Sequence, residues 1–322
     1  MIRSIKQVIL RFFLLLNVTV FATLSGLAQN SFNVNLDVVR DSVVFLHSVD
    51  QSGQLKDAGT GFLLVVPTKA DPVRGYILLV TARHIVDPQW NGCPVTNNIL
   101  KVSLNKKEYD PKKDDPGTVE VSAIGGWHFP EDDSVDIAVV VLNGDVFNSL
   151  NVINAGIRVT ELPTPEELKK VNTGSQIVSA GLLLGASGSK RNYPIFKFGY
   201  VSSIPEEKIA VNCCPGGCVT KLETEWMIAA SLVPGNSGSP IVYVPPFLQG
   251  GRAFLLGVQS SSFLGFDVAG MAPVQYLIDL IRSMNLPDAN LGPNGVVNPT
   301  PQAQPTSSQP PVPVPGVLPQ PH

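Results

Sequence analysis

Short apolar runs broken by turn residues fill the middle of the chain. They are Ser42–Ser48, Gly61–Val66, Tyr76–Thr81, Val119–Ile124, Ile137–Leu142, Gln176–Leu183, Lys197–Ile204, Glu223–Ala229, Ile241–Val244 and Phe254–Ser260. Each is short, rich in Val and Ile, and bounded by Gly, Pro, Asn, Asp or Ser, which is the pattern of β-strands. No regular helical pattern alternates with them, so antiparallel barrels or a sandwich are expected rather than a parallel α/β sheet. Two helices break the series. Thr164-Pro165-Glu166-Glu167 is a capping box with proline in the first turn, predicting a short helix to about Lys170, mid-chain, where a link between two halves would fall. Val274–Met284 places Leu277, Ile278, Leu280 and Ile281 on one side and is followed by Pro287, predicting a helix that closes on the last strands.

The two ends differ from this middle. Arg3, Lys6 and Arg11 precede the apolar stretch Phe12–Leu24, and Gly26-Leu27-Ala28 ends in small residues. That is the layout of a secretory signal over residues 1–28, with cleavage expected after Ala28 and no stable membrane anchor afterwards. No cysteine lies near that point to carry a lipid. At the other end, 287–322 is read as a Pro-rich tail; from Asn294 onward proline alternates with Gln, Thr, Ser and Val, and such a segment cannot build a core.

Composition supports a globular middle: of 322 residues, 44% are hydrophobic and 15% charged, enough for a sizeable core. Losing the three N-terminal cations would take the formal charge from −3 to −6, and no basic stripe exists. Nucleic acid is therefore excluded as a partner. The four cysteines, Cys93, Cys213, Cys214 and Cys218, are an even number in a chain expected to be exported to a periplasmic or extracellular space. Disulfides are the leading expectation, with free thiols or a metal site as alternatives, and the connectivity is left open.

Three segments carry candidate chemistry. In Gly235-Asn236-Ser237-Gly238-Ser239-Pro240 the serine needs a base, and glycines beside it allow a tight turn that gathers backbone N–H groups. Val80-Thr81-Ala82-Arg83-His84 puts an imidazole where an apolar strand ends, and Asp136 opens the strand Ile137-Ala138-Val139-Val140. Taken singly, each has an ordinary structural explanation, as do His47, His128 and His322; Asp132 and Asp133 are read as solvated turn residues.

Together, in the order Thr81-Ala82-Arg83-His84, Asp136-Ile137-Ala138 and Gly235–Pro240, they resemble the trypsin-like serine peptidases. The likeness is to the exported bacterial branch related to the PDZ-bearing heat-shock proteases, and it covers about Ser42 to Met284. Gly59-Thr60-Gly61-Phe62 looks like the strand preceding the catalytic histidine. The resemblance implies two six-stranded antiparallel β-barrels, about 40–145 and 172–272, with a closing helix at about 274–284. It implies His84, Asp136 and Ser237 as a triad and the amides of Gly235 and Ser237 as the oxyanion hole, acting on a peptide with no metal or cofactor. It further implies that Ser231, six residues before the nucleophile, and Leu232 floor the primary pocket. Gln259, Ser260 and Ser262 then lie on its wall, which suggests a small or medium apolar side chain before the cut. Asn236 stands where zymogen-activated relatives have Asp, so activity is expected without an inserted amino terminus. Too few residues follow the closing helix for a PDZ domain. The rival expectation is a catalytically idle binding module with the same barrels.

Overall fold

The computed structural model describes residues 36–295, apart from 50–51, 73, 94–99, 114–116, 124–125, 154, 184–185, 187, 189, 213–219, 247–250 and 264. The expected signal segment and residues 296–322 of the tail lie outside the described residues.

A short helix, α1 (Leu36–Ser42), leads into β1 (Val43–Val49), β2 (Leu55–Pro67) and β3 (Gly75–Thr81). After the one-turn α2 (Arg83–Val86) come β4 (Leu100–Asn105), β5 (Thr118–Ala123) and β6 (Ala138–Leu142). These strands pair antiparallel in the order β5-β4-β1-β2-β3-β6, and the two-residue β7 (Ile157–Arg158) joins β2 in parallel. The run Phe62–Val66 is continuously apolar because both faces of β2 are covered. Leu63 packs with Val44, Leu46, Leu79 and Val102, while Phe62 and Leu64 pack with Leu78, Val80 and Ile137.

The second half follows α3 (Gly144–Ser149) and α4 (Pro165–Leu168). The capping box forms as the sequence predicts: Thr164 N–H donates to Glu167 Oε2 at 2.9 Å and Glu167 N–H to Thr164 Oγ1 at 3.3 Å. Arg252 then forks onto both Glu167 oxygens at 2.8 and 2.7 Å, fastening this linker to the second half. The strands are β8 (Gln176–Gly181), β9 (Ile195–Ser203), β10 (Ile209–Asn212), β11 (Thr220–Glu223), β12 (Trp226–Ala229), β13 (Pro240–Tyr243), β14 (Phe254–Phe263) and β15 (Val268–Pro273). Six close into a barrel in the order β12-β15-β14-β13-β8-β9, and β10 with β11 forms a separate antiparallel pair. Ile177, Val201, Ile228, Ile241, Leu256 and Met271 fill this barrel. The closing helix α5 (Val274–Ser283) buries Leu277, Ile278 and Ile281 among residues of both halves, Phe62 and Leu64 from the first and Leu255 and Val258 from the second. Burial of each such side chain is worth about 1.5–3 kcal/mol, so the helix clamps the halves together.

Three differences from the sequence expectation are present. The first half is a six-stranded antiparallel path rather than a fully paired barrel; His128, beyond the end of β5, makes an isolated bridge to Val139 of β6, with N–H···O distances of 2.7 and 3.0 Å. The run Glu223–Ala229 divides into β11 and β12, because Thr224 turns to pair its backbone N–H with the Ser134 carbonyl at 3.0 Å. Residues 287–292, placed with the tail by composition, instead return to the first half: Asn290 N–H donates to Pro67 O at 2.8 Å, and Lys69 N–H to Asp288 O at 2.8 Å.

Candidate active site

His84 sits in α2, the single turn that follows β3, and Asp136 stands two residues before β6. β3 and β6 are antiparallel neighbours with Thr81 opposite Ala138, so the pairing itself brings the two side chains together. His84 Nδ1 lies 2.6 Å from Asp136 Oδ2, and the His84 backbone N–H donates to Asp136 Oδ1 at 2.9 Å. Both carboxylate oxygens are thus committed to one residue. Asp136 is only 2% exposed while the imidazole keeps 27% of its surface.

The loop carrying Asp136 is pinned from several sides. Asp132 Oδ1 accepts from Ser134 N–H at 2.9 Å, Ser134 Oγ at 2.7 Å and Lys208 Nζ at 3.1 Å. Burial alone would raise the Asp132 carboxyl, but these bonds and the Lys208 charge hold it below the ordinary carboxylate value. Arg83 bonds Asp133 at 2.9 Å with its guanidinium over the rings of Phe129 and Trp90, at 4.4 and 5.0 Å from their centroids. Asp132 and Asp133 lie in the turn expected of them, Asp133 with 75% of its side chain exposed, and both also pin the loop ahead of Asp136.

The nucleophile loop connects β12 to β13. Gly235 and Gly238 adopt φ of +96° and +86°, a region that favours glycine. At Gly238 a side chain would also collide with the Thr60 carbonyl and the Thr81 hydroxyl. Thr60, in the segment expected to precede the histidine strand, ties the halves together at this loop. Its N–H donates to Ser237 O at 2.8 Å, its Oγ1 donates to Gly235 O at 2.8 Å, and it accepts from Leu182 N–H at 2.8 Å. Among the described residues the N–H groups of Gly235 and Ser237 have no acceptor, as an oxyanion site requires. Ser237 Oγ donates to the Ser260 carbonyl at 3.3 Å, and no hydrogen bond joins it to His84.

Asn236 is 1% exposed and fully employed. Its amide donates to Leu182 O, and its Oδ1 accepts from Val233 N–H at 3.0 Å and Lys197 Nζ at 3.1 Å. Lys197 Nζ also donates to Ser231 O at 2.6 Å. A side-chain ammonium from β9 therefore braces the nucleophile loop from within, which explains how Asn236 serves without an ion pair. Burial lowers the Lys197 pKa, the expected cost of holding an ammonium there.

Electrostatically the imidazole is surrounded by acid. Burial alone would lower the His84 pKa, but the charge and hydrogen bond of Asp136, with the charges of Glu223 and Glu225, raise it overall. Glu223 and Glu225 are each 2% exposed. Among the described residues no group of three His, Cys, Asp or Glu side chains is arranged to hold a metal ion.

The expected specificity residues fall in two places. Ser231 is exposed and its Oγ donates to Asp267 Oδ1 at 3.0 Å, with Leu232 buried behind it. Gln259 and Ser260 are buried, Gln259 Nε2 donating to Ser261 O at 2.8 Å, and Ser262 is partly exposed. Cys93 ends the turn after α2, while Cys213, Cys214 and Cys218 lie outside the described residues. Lys197, Glu225 and Asp267 were not singled out from sequence, because nothing local marks them.

A closed six-stranded barrel joined to a six-stranded antiparallel partner, with His and Asp on the partner and a glycine-framed serine on the barrel, is a chymotrypsin-like architecture. No protein-family model matches the chain, and no curated protein matches it. Among solved structures it is similar to the Rv3671c protease from M. tuberculosis in its active form, at 17% identity over 77% of this chain and 83% of that one, TM-score 0.42. It is also similar to the MamO protease domain from Magnetospirillum magneticum, at 14% identity over 76% and 97%, TM-score 0.46. The HtrA-type protease AlgW is similar at 14% identity over 78% and 66%, TM-score 0.46.

Proposed function

We propose that this chain is an exported serine endopeptidase. One observation carries the reading: the Asp136–His84 pair, each oxygen of the carboxylate bonded, stands on the half that Thr60 joins to a nucleophile loop with two unpaired N–H groups. Ser237 Oγ attacks the peptide carbonyl carbon and its proton passes to His84 Nε2. The developing oxyanion is held by the Gly235 and Ser237 amides, each such donor being worth about 3–4 kcal/mol. His84 then protonates the leaving amine, and water repeats the sequence on the acyl-enzyme. The substrate backbone has an edge to join, since β14 pairs with β13 from Phe254 to Val258 and runs on to Phe263 past the nucleophile.

A second reading, an idle binding module, is favoured by the hydrogen bond from Ser237 Oγ to Ser260 O, which the hydroxyl must leave to reach His84. For specificity we favour a small or medium apolar side chain at Ser231 and Leu232. The Asp267 carboxylate on Ser231 Oγ argues for a basic one instead. Export rests on the signal-like residues 1–28, and a disulfide from Cys93 to one of Cys213, Cys214 and Cys218 belongs to the same reading.

Hydrolysis of a peptide library as a function of pH tests the reading. His84 must be neutral to accept the proton, and its pKa is raised, so kcat/KM is expected to fall with acidification from a midpoint above 6.5. No hydrolysis at pH 8 would overturn the proposal, and cleavage dominated by Arg or Lys would overturn the apolar preference. Lys197→Met is expected to lower kcat/KM by about tenfold with a nearly unchanged melting temperature, since it removes one brace of the oxyanion loop. Parental kinetics in that variant would show that Asn236 needs no such support.

A further inference from the structure

β14 carries an irregularity beside the nucleophile. Gln259 pairs with Met271 and Ser262 with Ala269, so Ser260 and Ser261 together oppose the single residue Gly270. Such a bulge re-aims the strand, and it needs an anchor. The anchor is Glu225, from the turn between β11 and β12. Its Oε1 accepts from Ser260 Oγ and its Oε2 accepts from Ser261 Oγ at 2.9 Å. Gly270 leaves the space for this carboxylate, because a side chain there would collide with it and with Ser261 Oγ. One of the two bulged residues meets the chemistry directly, the Ser260 carbonyl being the acceptor for Ser237 Oγ. Glu225 is itself tied to the catalytic half, since the adjacent Thr224 bonds Ser134 through both N–H and Oγ1, at 3.0 and 2.8 Å.

We propose that Glu225 is a positioning residue for the reaction: through Ser260 and Ser261 it fixes the bulged edge of β14 on which the peptide backbone and the resting nucleophile lie. The proposal deepens the peptidase reading and rests on it. Titratable groups facing Glu225 are Asp136 from the loop before β6 and His84 from α2, the same imidazole that Glu223 from β11 acts on; among the described residues β14 and β15 present the two serine hydroxyls and Gly270. Burial drives the Glu225 carboxyl up to about 7, with the Asp136 charge adding to this and the serine bonds and His84 opposing it. Only the ionised form accepts from both hydroxyls at once without offering a proton of its own, so the edge is fully held above neutrality and loosens below it.

The experiment measures kcat and KM for one peptide substrate from about pH 5 to about pH 9 in the parent, Glu225→Gln and Ser261→Ala. In Glu225→Gln one oxygen becomes a donor, so one serine hydroxyl must turn from donating to accepting and both bonds lose the carboxylate charge; KM at high pH is expected to rise about tenfold with kcat changed less than about threefold. The acid limb of kcat/KM is expected to move to lower pH, because one negative charge facing His84 has gone. Ser261→Ala, which leaves the carboxylate in place, is expected to raise KM in the same direction, and it decides the matter if Glu225→Gln does not fold. Parental KM and a parental acid limb in Glu225→Gln, or parental KM in Ser261→Ala, overturn the proposal. Fluorophosphonate labelling of Ser237 in the parent separates the two failures: a labelled parent with indifferent variants refutes the role of Glu225 alone, whereas an unlabelled parent refutes the peptidase reading and the proposal with it.

Discussion

Replacing Asp136 by Asn is expected to lower kcat by about 10⁴-fold at neutral pH while the protein remains folded. The argument is one of donors and acceptors. The His84 backbone N–H points at Oδ1 at 2.9 Å and must keep an oxygen there, so the NH₂ group of the new amide would stand where Oδ2 now meets Nδ1 at 2.6 Å. A donor at that position forces Nδ1 to accept, and the imidazole proton then sits on Nε2. In that tautomer the ring cannot take the Ser237 proton. Stability changes little, since shape is kept and a buried charge near Glu225 is removed. Kinetics at neutral pH with a melting curve alongside check this; a loss below about tenfold would mean that Asp136 does not set the tautomer.

Legibility in the sequence followed local determination. β2, β3 and β6 were readable because Phe62–Val66, Ile77–Val80 and Ala138–Val140 are apolar without interruption, as strands covered on both faces must be. β15 was not, because Val-Ala-Gly-Met-Ala-Pro has little intrinsic strand character and is held by pairing with β12 and β14. The split between β11 and β12 was invisible for a related reason: the acceptor that turns Thr224 aside, the Ser134 carbonyl, is 90 residues away in sequence.

The site divided along the same line. His84, Asp136 and Ser237 each carry a local mark, a strand end or a glycine frame, and strand pairing does bring His84 and Asp136 together. In the sequence Thr60 is one residue of a strand, and nothing local marks its three bonds to the nucleophile loop and Leu182. Lys197, Glu225 and Asp267 look like ordinary surface charges in the sequence. Their roles come from contacts spanning 34 to 39 residues, to Ser231 and Asn236, to Ser260 and Ser261, and to Ser231. Charged residues of this kind acquire meaning only once the barrel has closed around them.

The largest effect is expected from Ser237→Ala. It removes the only atom proposed to bond covalently with substrate, and the residual rate should lie about 10⁶-fold below the parent, leaving what the oxyanion amides and binding alone supply. The direct measurement is covalent labelling of the mature chain by a fluorophosphonate probe, read by intact mass and by the modified peptide. Labelling requires a nucleophile, a base that reaches it and an oxyanion site, and so reports on whether Ser237 Oγ can leave the Ser260 carbonyl for His84. The account predicts one adduct, on Ser237, absent from Ser237→Ala. No adduct on the parent, or one that persists in the variant, would contradict it.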